Sequence, residues 1–210
     1  MDNKRIYTVG HSNHSIDYFL ELLHTHNINC IVDVRSMPAS KFNPQYNQVE
    51  LKATLKSNTI VYMHFKDEFG ARQESEEYID ENGQVNFQYF RKSREFQNGV
   101  ERIDLGVENG YRIALMCSEG NPLECHRFSM ISGYFSKLGF QVLHILRDKS
   151  AIEHQQLEKK LLERYSDQVL VPSLFESTSD TTEMLETAYT LHNKEIGWKS
   201  IRRAQKKTYG

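Results

Sequence analysis

Three short stretches gather the side chains that could do chemistry. They are Gly10-His11-Ser12-Asn13-His14, Asp33-Val34-Arg35-Ser36 with Ser40 close behind, and Cys117-Ser118-Glu119 through Cys125-His126-Arg127. Together they hold thiols, imidazoles, carboxylates and guanidinium groups. A thiol at the start of a helix can be lowered in pKa by the backbone N–H groups there, and the same N–H groups bind anions. Cys117 is therefore a candidate nucleophile, although lining of a binding site and an inert buried position fit the sequence as well. An arginine supplies a planar fork for phosphate or carboxylate, and Arg35, Arg72 and Arg127 are the candidates for it. His11 and His126 could move protons near neutral pH, with Asp33 or Glu119 as partners. Helix capping would account for His11 and His14 equally well.

Cys117, Cys125 and His126, with His11 or His14 as a fourth ligand, are also the donor types that zinc takes. Against zinc, the two thiols stand eight positions apart, without a tight Cys-x-x-Cys turn. Neighbours on a helix point about 100° apart, so Cys125 and His126 should not share one ion there. No metal is assigned on this basis, and no cofactor is specified. Asp33 interrupts an apolar strand, where an acid is costly unless paired. Arg35, two positions on, shares its face of the strand, so a structural ion pair competes with a catalytic carboxylate. Phe69-Gly70-Ala71-Arg72 could fold back as a lid carrying a second anion contact, or be a solvated loop. His64 and His144 fall on strands and should have hydrogen-bond partners, whereas His24, His26, His154 and His192 are expected at the surface.

These segments need elements to position them. Apolar runs predict strands at 5–9, 30–34, 59–64, 111–116 and 140–146, nearly continuous as in parallel strands covered on both faces. Helical spacing of Ile16, Phe19, Leu20, Leu22 and Leu23 follows Ser15, an N-cap type. Further helices are expected near 50–56, 87–98, 100–109 and from Pro122 to Leu138, the last ended by Gly139. Residues 36–48 and 66–86 are long polar connections, which in compact domains are commonly functional. Past Asp148 there is no strand signal: a charged helix at 152–165, a Ser/Thr-rich linker at 171–182 and a helix at 183–194. The expected fold is α/β: a three-layer, mostly parallel sheet of about five strands with helices on both faces, plus a helical C-terminal extension. Residues 1–148 would form the α/β domain that carries the site. Residues 149–210 would be a cap or partner-binding arm. In such sheets ligands bind beyond the carboxyl ends of the strands, where all three polar stretches fall.

The net charge of −2 sets up no global field toward nucleic acid or an anionic membrane. A local cation cluster, Lys199, Arg202, Arg203, Lys206 and Lys207, follows Trp198 and could meet phosphates or a protein. No apolar run approaches the roughly 20 residues that span a bilayer, and three unevenly spaced cysteines suit a reduced, cytoplasmic chain.

The segments Thr8-Val9-Gly10-His11-Ser12, Asp33 to Ser40, Phe42-Asn43-Pro44, Phe69 to Arg72, Met116 to Glu119 and Cys125-His126-Arg127 resemble the bacterial and archaeal family called domain of unknown function 488. The resemblance spans about residues 5–146, with Gly70-Ala71 standing where the family has Gly-Gly. It implies a shared site centred on the cysteine, the acid and the His-Arg pair, and names no reaction. The expected function is an enzyme, a hydrolase or transferase, acting on an anionic, phosphate-bearing molecule that is nucleotide-like or a nucleic acid. His11, Asp33, Cys117, Glu119 and His126 would be catalytic. Ser12, Arg35, Ser36, Ser40, Arg72, Cys125 and Arg127 would bind substrate. The alternatives are a non-catalytic nucleotide- or nucleic-acid-binding module that uses the same pocket and the basic tail, and a metal-dependent hydrolase.

Overall fold

A computed structural model describes residues 4–169 and 181–200. The Ser/Thr-rich linker, apart from its last two residues, and the cations from Arg202 to Lys207 lie outside the described residues. In chain order, β1 (Arg5–Gly10), α1 (Ile16–Thr25), β2 (Cys30–Asp33), α2 (Gln48–Ser57) and β3 (Val61–His64) are followed by the single turns α3 (Lys66–Phe69) and α4 (Phe87–Phe90). Then come α5 (Arg94–Glu108), β4 (Ile113–Cys117), a π-helical turn (Arg127–Ser132), α6 (Gly133–Lys137) and β5 (Gln141–Ile145). The C-terminal part adds β6 (Ala151–Glu153), α7 (His154–Arg164), α8 (Ser166–Val169) and α9 (Thr181–Ile196).

The six strands form one sheet in the order β3-β2-β4-β1-β5-β6, parallel except for β6. Alternate residues of each strand feed opposite faces. On one side Tyr7, Val9, Ile31, Ala114 and Met116 pack with Phe19, Leu22 and Leu23 of α1 and Leu51 and Leu55 of α2. On the other, Ile6, Val32, Ile113 and Leu115 pack with Phe96, Val100 and Ile103 of α5 and Phe135 of α6. Burying each of these large apolar side chains contributes roughly 1.5–3 kcal/mol. Ser15 caps α1 as its type suggests, accepting from the Tyr18 amide. Gly139 ends α6 at φ +87, a left-handed position where glycine avoids the Cβ clash.

Several expectations change. The two helices expected at 87–98 and 100–109 are one short turn and one continuous helix, α5. Gly99 lies inside α5 because α3 crosses there: a Cβ would sit 2.7 Å from Glu68 Cβ and 2.9 Å from the Phe69 ring. The strand β6 escaped notice because three residues carry no readable period. The helix expected from Pro122 to Leu138 is broken: a 3₁₀ turn at Pro122–Glu124, Cys125 extended at φ −132 and ψ 140, then the π turn.

His154 and His192 are wholly buried rather than at the surface. They sit among Phe128, Leu157, Leu161, Ala188 and Tyr189, where α7 and α9 close over the π turn. Hydrogen bonds order the buried polar chain there. Glu158 can only accept, so the Tyr189 hydroxyl donates to it at 2.8 Å. That hydroxyl oxygen accepts from His154 Nε2–H at 2.8 Å. His154 Nδ1 then accepts from His144 Nε2–H at 3.0 Å, and His144 Nδ1 accepts from the Thr8 hydroxyl at 2.8 Å. Burial holds His144 well below its ordinary pKa.

Candidate functional site

β1 leads into α1 on one face, while its neighbour β4 leads into the π turn and α6 on the other. The loops after β1 and β4 therefore part at a switch point, where doubly wound sheets leave a crevice for ligands. Register brings the polar ends together, with Gly10 beside Cys117 and Asp33 beside Met116. Beyond the strands the backbone pairing continues, from His11 N–H to Cys117 O and from Ser12 N–H to Ser118 O, both at 2.9 Å. Position 10 must be glycine, because a Cβ there would lie 1.9 Å from the Glu119 carbonyl oxygen. Ser12 takes the left-handed backbone at φ 49, a strained setting for a non-glycine residue.

Two inner groups form. In the first, Asp33 is fully buried and accepts from Arg35 Nε at 2.9 Å, Arg35 Nη2 at 2.6 Å and the Tyr62 hydroxyl at 2.8 Å. Arg35 also donates to the Tyr46 carbonyl at 2.8 Å and, through Nη1, to His11 Nε2 at 3.1 Å. His11 must then carry its proton on Nδ1, which donates to the Ser12 carbonyl at 2.8 Å. Its ring stacks on Tyr46 with centroids 4.1 Å apart. Burial first, and Arg35 second, push the His11 pKa down to about 4.

The second group holds the sulfurs. Cys117, Cys125 and His126 are all buried, and their donor atoms lie within 4.8 Å of one another. His126 Nδ1 is 3.8 Å from Cys117 Sγ and 3.7 Å from Cys125 Sγ. Its other nitrogen faces the Val34 carbonyl at 3.2 Å. A carbonyl only accepts, so Nε2 carries the hydrogen and Nδ1 is the nitrogen aimed at the thiols. The hydrogen bond with Cys125 and burial push Cys117 well up. Burial opposes ionisation of Cys125 as well, yet the Cys117 S–H, Arg127 and His126 outweigh it and hold Cys125 well below the ordinary thiol range. The Arg127 backbone N–H adds a 3.4 Å contact to Cys125 Sγ. Glu119 is exposed as a residue, yet its carboxyl interacts with both sulfurs, and burial together with Cys125 raises its pKa.

Arg127 is completely buried. Its Nη1 donates to the Glu119 carbonyl at 2.5 Å and Nη2 to the Gly120 carbonyl at 3.1 Å, so it braces the loop over the sulfurs. Arg35 and Arg127 are thus committed to protein partners. Arg72 is exposed and sits apart, its amide on Ser36 Oγ at 2.9 Å and its guanidinium against Met37 Sδ. Ser40 Oγ accepts from the Phe42 and Asn43 amides and shapes the loop after β2. Beside the switch point a groove of about 800 Å³ opens between Gly10, Ser12, His14, Tyr18, Asn121 and Arg147. Arg147, exposed just past β5, is its cation and was not among the expected site residues. The signal was available: a cation directly after the carboxyl end of a parallel strand. Tyr46 and Tyr62, which anchor Arg35 and Asp33, carried none.

Fold and site define a doubly wound, mostly parallel α/β protein with a buried thiol–imidazole cluster at the carboxyl edge of its sheet. Within that class the chain belongs to the family described as domain of unknown function DUF488, whose model matches residues 15–134. The match takes in the segments around Asp33, Arg72, Cys117 and Cys125, while the stretch from Thr8 to Ser12 precedes it. No curated protein and no solved structure matches the chain. Among the described residues no helix is long and apolar enough to cross a membrane.

Proposed function

We propose that this protein is an enzyme acting on an anionic, phosphate-bearing molecule at the carboxyl edge of the sheet. Substrate enters the groove beside Ser12, His14 and Arg147 and reacts at the Cys117–Cys125–His126 cluster, with Glu119 on the loop between the groove and the sulfurs. One observation carries this reading: an imidazole nitrogen is turned onto two buried thiols at the same sheet edge as an open groove lined by Arg147, which has no ion pair among the described residues. Such a pairing of base and thiol is the arrangement that activates sulfur for nucleophilic or metal-assisted chemistry. Arg147, with Arg72 at the far side of the edge, replaces Arg35 and Arg127 as the anion contact. The two buried arginines and Asp33 build the walls.

The test is a turnover screen of the full chain against phosphomonoesters, pyrophosphates and nucleotides. The substrate found is then run with two variants. Cys125→Ala should lose roughly a hundredfold or more in kcat, while Arg147→Ala should raise KM several-fold with kcat little changed. A Cys125→Ala protein that folds and turns over at the full rate would remove the cluster from the reaction.

A further inference from the structure

We infer that Cys117, Cys125 and His126 form a binding site for one divalent cation of the zinc class, with the fourth position open. What the ion would do there rests on the reading of this cluster as the reacting centre, whereas its binding stands on geometry alone. Zinc bonds thiolate sulfur at about 2.3 Å and imidazole nitrogen at about 2.0 Å, so in a tetrahedral site sulfur and nitrogen stand about 3.6 Å apart. The separations here are 3.8 and 3.7 Å, with all three donor atoms within 4.8 Å of one another. Two thiolates on one tetrahedral zinc stand about 3.8 Å apart, and the sulfurs here lie within 4.8 Å, so closing the site on an ion takes a movement of no more than about 1 Å.

The objection from sequence, that adjacent Cys125 and His126 diverge on a helix, does not hold. Cys125 is extended and His126 opens the π turn, so their donor atoms converge. π turns of this kind are frequent at functional sites.

The surroundings suit a metal. His126 Nε2–H on the Val34 carbonyl orients the ring and leaves Nδ1 as the donor, the outer contact that zinc-binding histidines use. The Arg127 amide at 3.4 Å from Cys125 Sγ is a further outer contact, made to a ligand sulfur. Two thiolates and one imidazole are a soft donor set, which selects zinc over magnesium, calcium or manganese. The thiols bind as thiolates, and their protons leave to solvent. With a divalent cation the two sulfurs are neutralised, so the nearby guanidinium of Arg127 is not repelled by the filled site as a whole. Glu119, whose carboxyl interacts with both sulfurs, lies outside the three donors that converge among the described residues. That leaves three protein ligands and one open position, the pattern of catalytic rather than structural zinc.

The experiment uses the full chain, prepared without chelator or metal-affinity resin. Elemental analysis should find about one zinc per chain. Cobalt(II) added to the apoprotein should give the near-ultraviolet sulfur-to-cobalt charge-transfer band and the intense visible bands of tetrahedral coordination. Cys117→Ser and Cys125→Ser should each weaken that charge-transfer band, while Cys30→Ser, whose thiol lies outside the cluster, should leave it unchanged. Either of two results would overturn the site: no bound metal with a featureless cobalt spectrum in the wild-type chain, or a mass lower by two hydrogens that reveals a Cys117–Cys125 disulfide. The wild-type cobalt spectrum decides the matter even where a serine variant does not fold. Bound zinc without turnover would sink only the enzyme proposal, and turnover in a protein that binds no zinc would sink only the metal.

Discussion

Asp33→Ala is expected to destabilise the fold by about 3–5 kcal/mol, because it strands the Arg35 guanidinium in the interior. Asp33 has no solvent exposure and Arg35 only 5%. The carboxylate receives three bonds from Arg35, counting the backbone amide at 3.1 Å, and one from Tyr62. Its removal leaves the guanidinium with the Tyr46 carbonyl and the neutral His11 as its partners, too few for a buried cation. For a chain of this length the melting temperature should fall by on the order of 10 °C. The double variant Asp33→Ala, Arg35→Met discriminates between causes. If the cost lies in the uncompensated charge, removing the charge as well should recover much of it. If the double variant is as unstable as the sum of the single ones, the loss comes from packing around Asp33 and the ion pair is not the cause.

Acid should unfold this protein earlier than its carboxylates alone would. His11 is held near 4 against an ordinary value of 6.5, and His144 and His192 are also held down by burial. For each of them the unfolded chain binds a proton that the folded chain refuses. Stability is therefore intact above about pH 6.5 and is lost as pH falls toward the folded pKa. His11 alone removes about 3 kcal/mol by pH 4, since each pKa unit is worth roughly 1.4 kcal/mol. Glu158, also held below its ordinary value, loses its stabilising charge in the same direction at lower pH. His126 works the other way: its pKa is raised, so its contribution is present in acid and fades as pH rises through the folded value. Four depressed histidines, His14 among them, stand against the raised His126 and Glu119 and leave a net loss in acid. Urea midpoints should drop steadily between pH 7 and 4.5 at constant m, and His11→Asn should flatten part of that slope. Midpoints that do not move over this range would contradict the neutral, buried state of these rings.

The strands were legible because a parallel strand covered on both faces must be apolar throughout, and five runs of that kind stand out. β6 was not, because three antiparallel residues at an edge carry no such run. The two buried histidines could have been found. His154, Leu157 and Leu161 share one stripe of α7, and Leu185, Ala188, Tyr189, His192 and Ile196 share one of α9, so each histidine sits on an apolar face. The expectation of surface positions weighed residue type above spacing. At the site, the strand ends pointed to the shared edge where the loops after β1, β2 and β4 meet, while Arg72 stands apart from it. Whether an arginine there meets solvent or protein is decided by carbonyls that no motif marks, such as those of Tyr46, Glu119 and Gly120. Arg35 and Arg127 therefore resembled anion contacts in the sequence and are braces in the structure. The convergence of Cys125 and His126 was hidden for a similar reason: a break in a helix after Pro122 leaves no periodic trace.

The claim at the centre of this account is that an anion binds at the switch point, in the groove between the loops after β1, β4 and β5. A titration of isotope-labelled full-length protein with inorganic pyrophosphate, followed residue by residue by NMR, tests it most directly. Saturable shifts are expected at residues 10–14, 118–122 and 145–148, and they should be lost in Arg147→Ala. Shifts confined to Arg72 and its neighbours or to the basic C-terminus, or none at millimolar pyrophosphate, would contradict it.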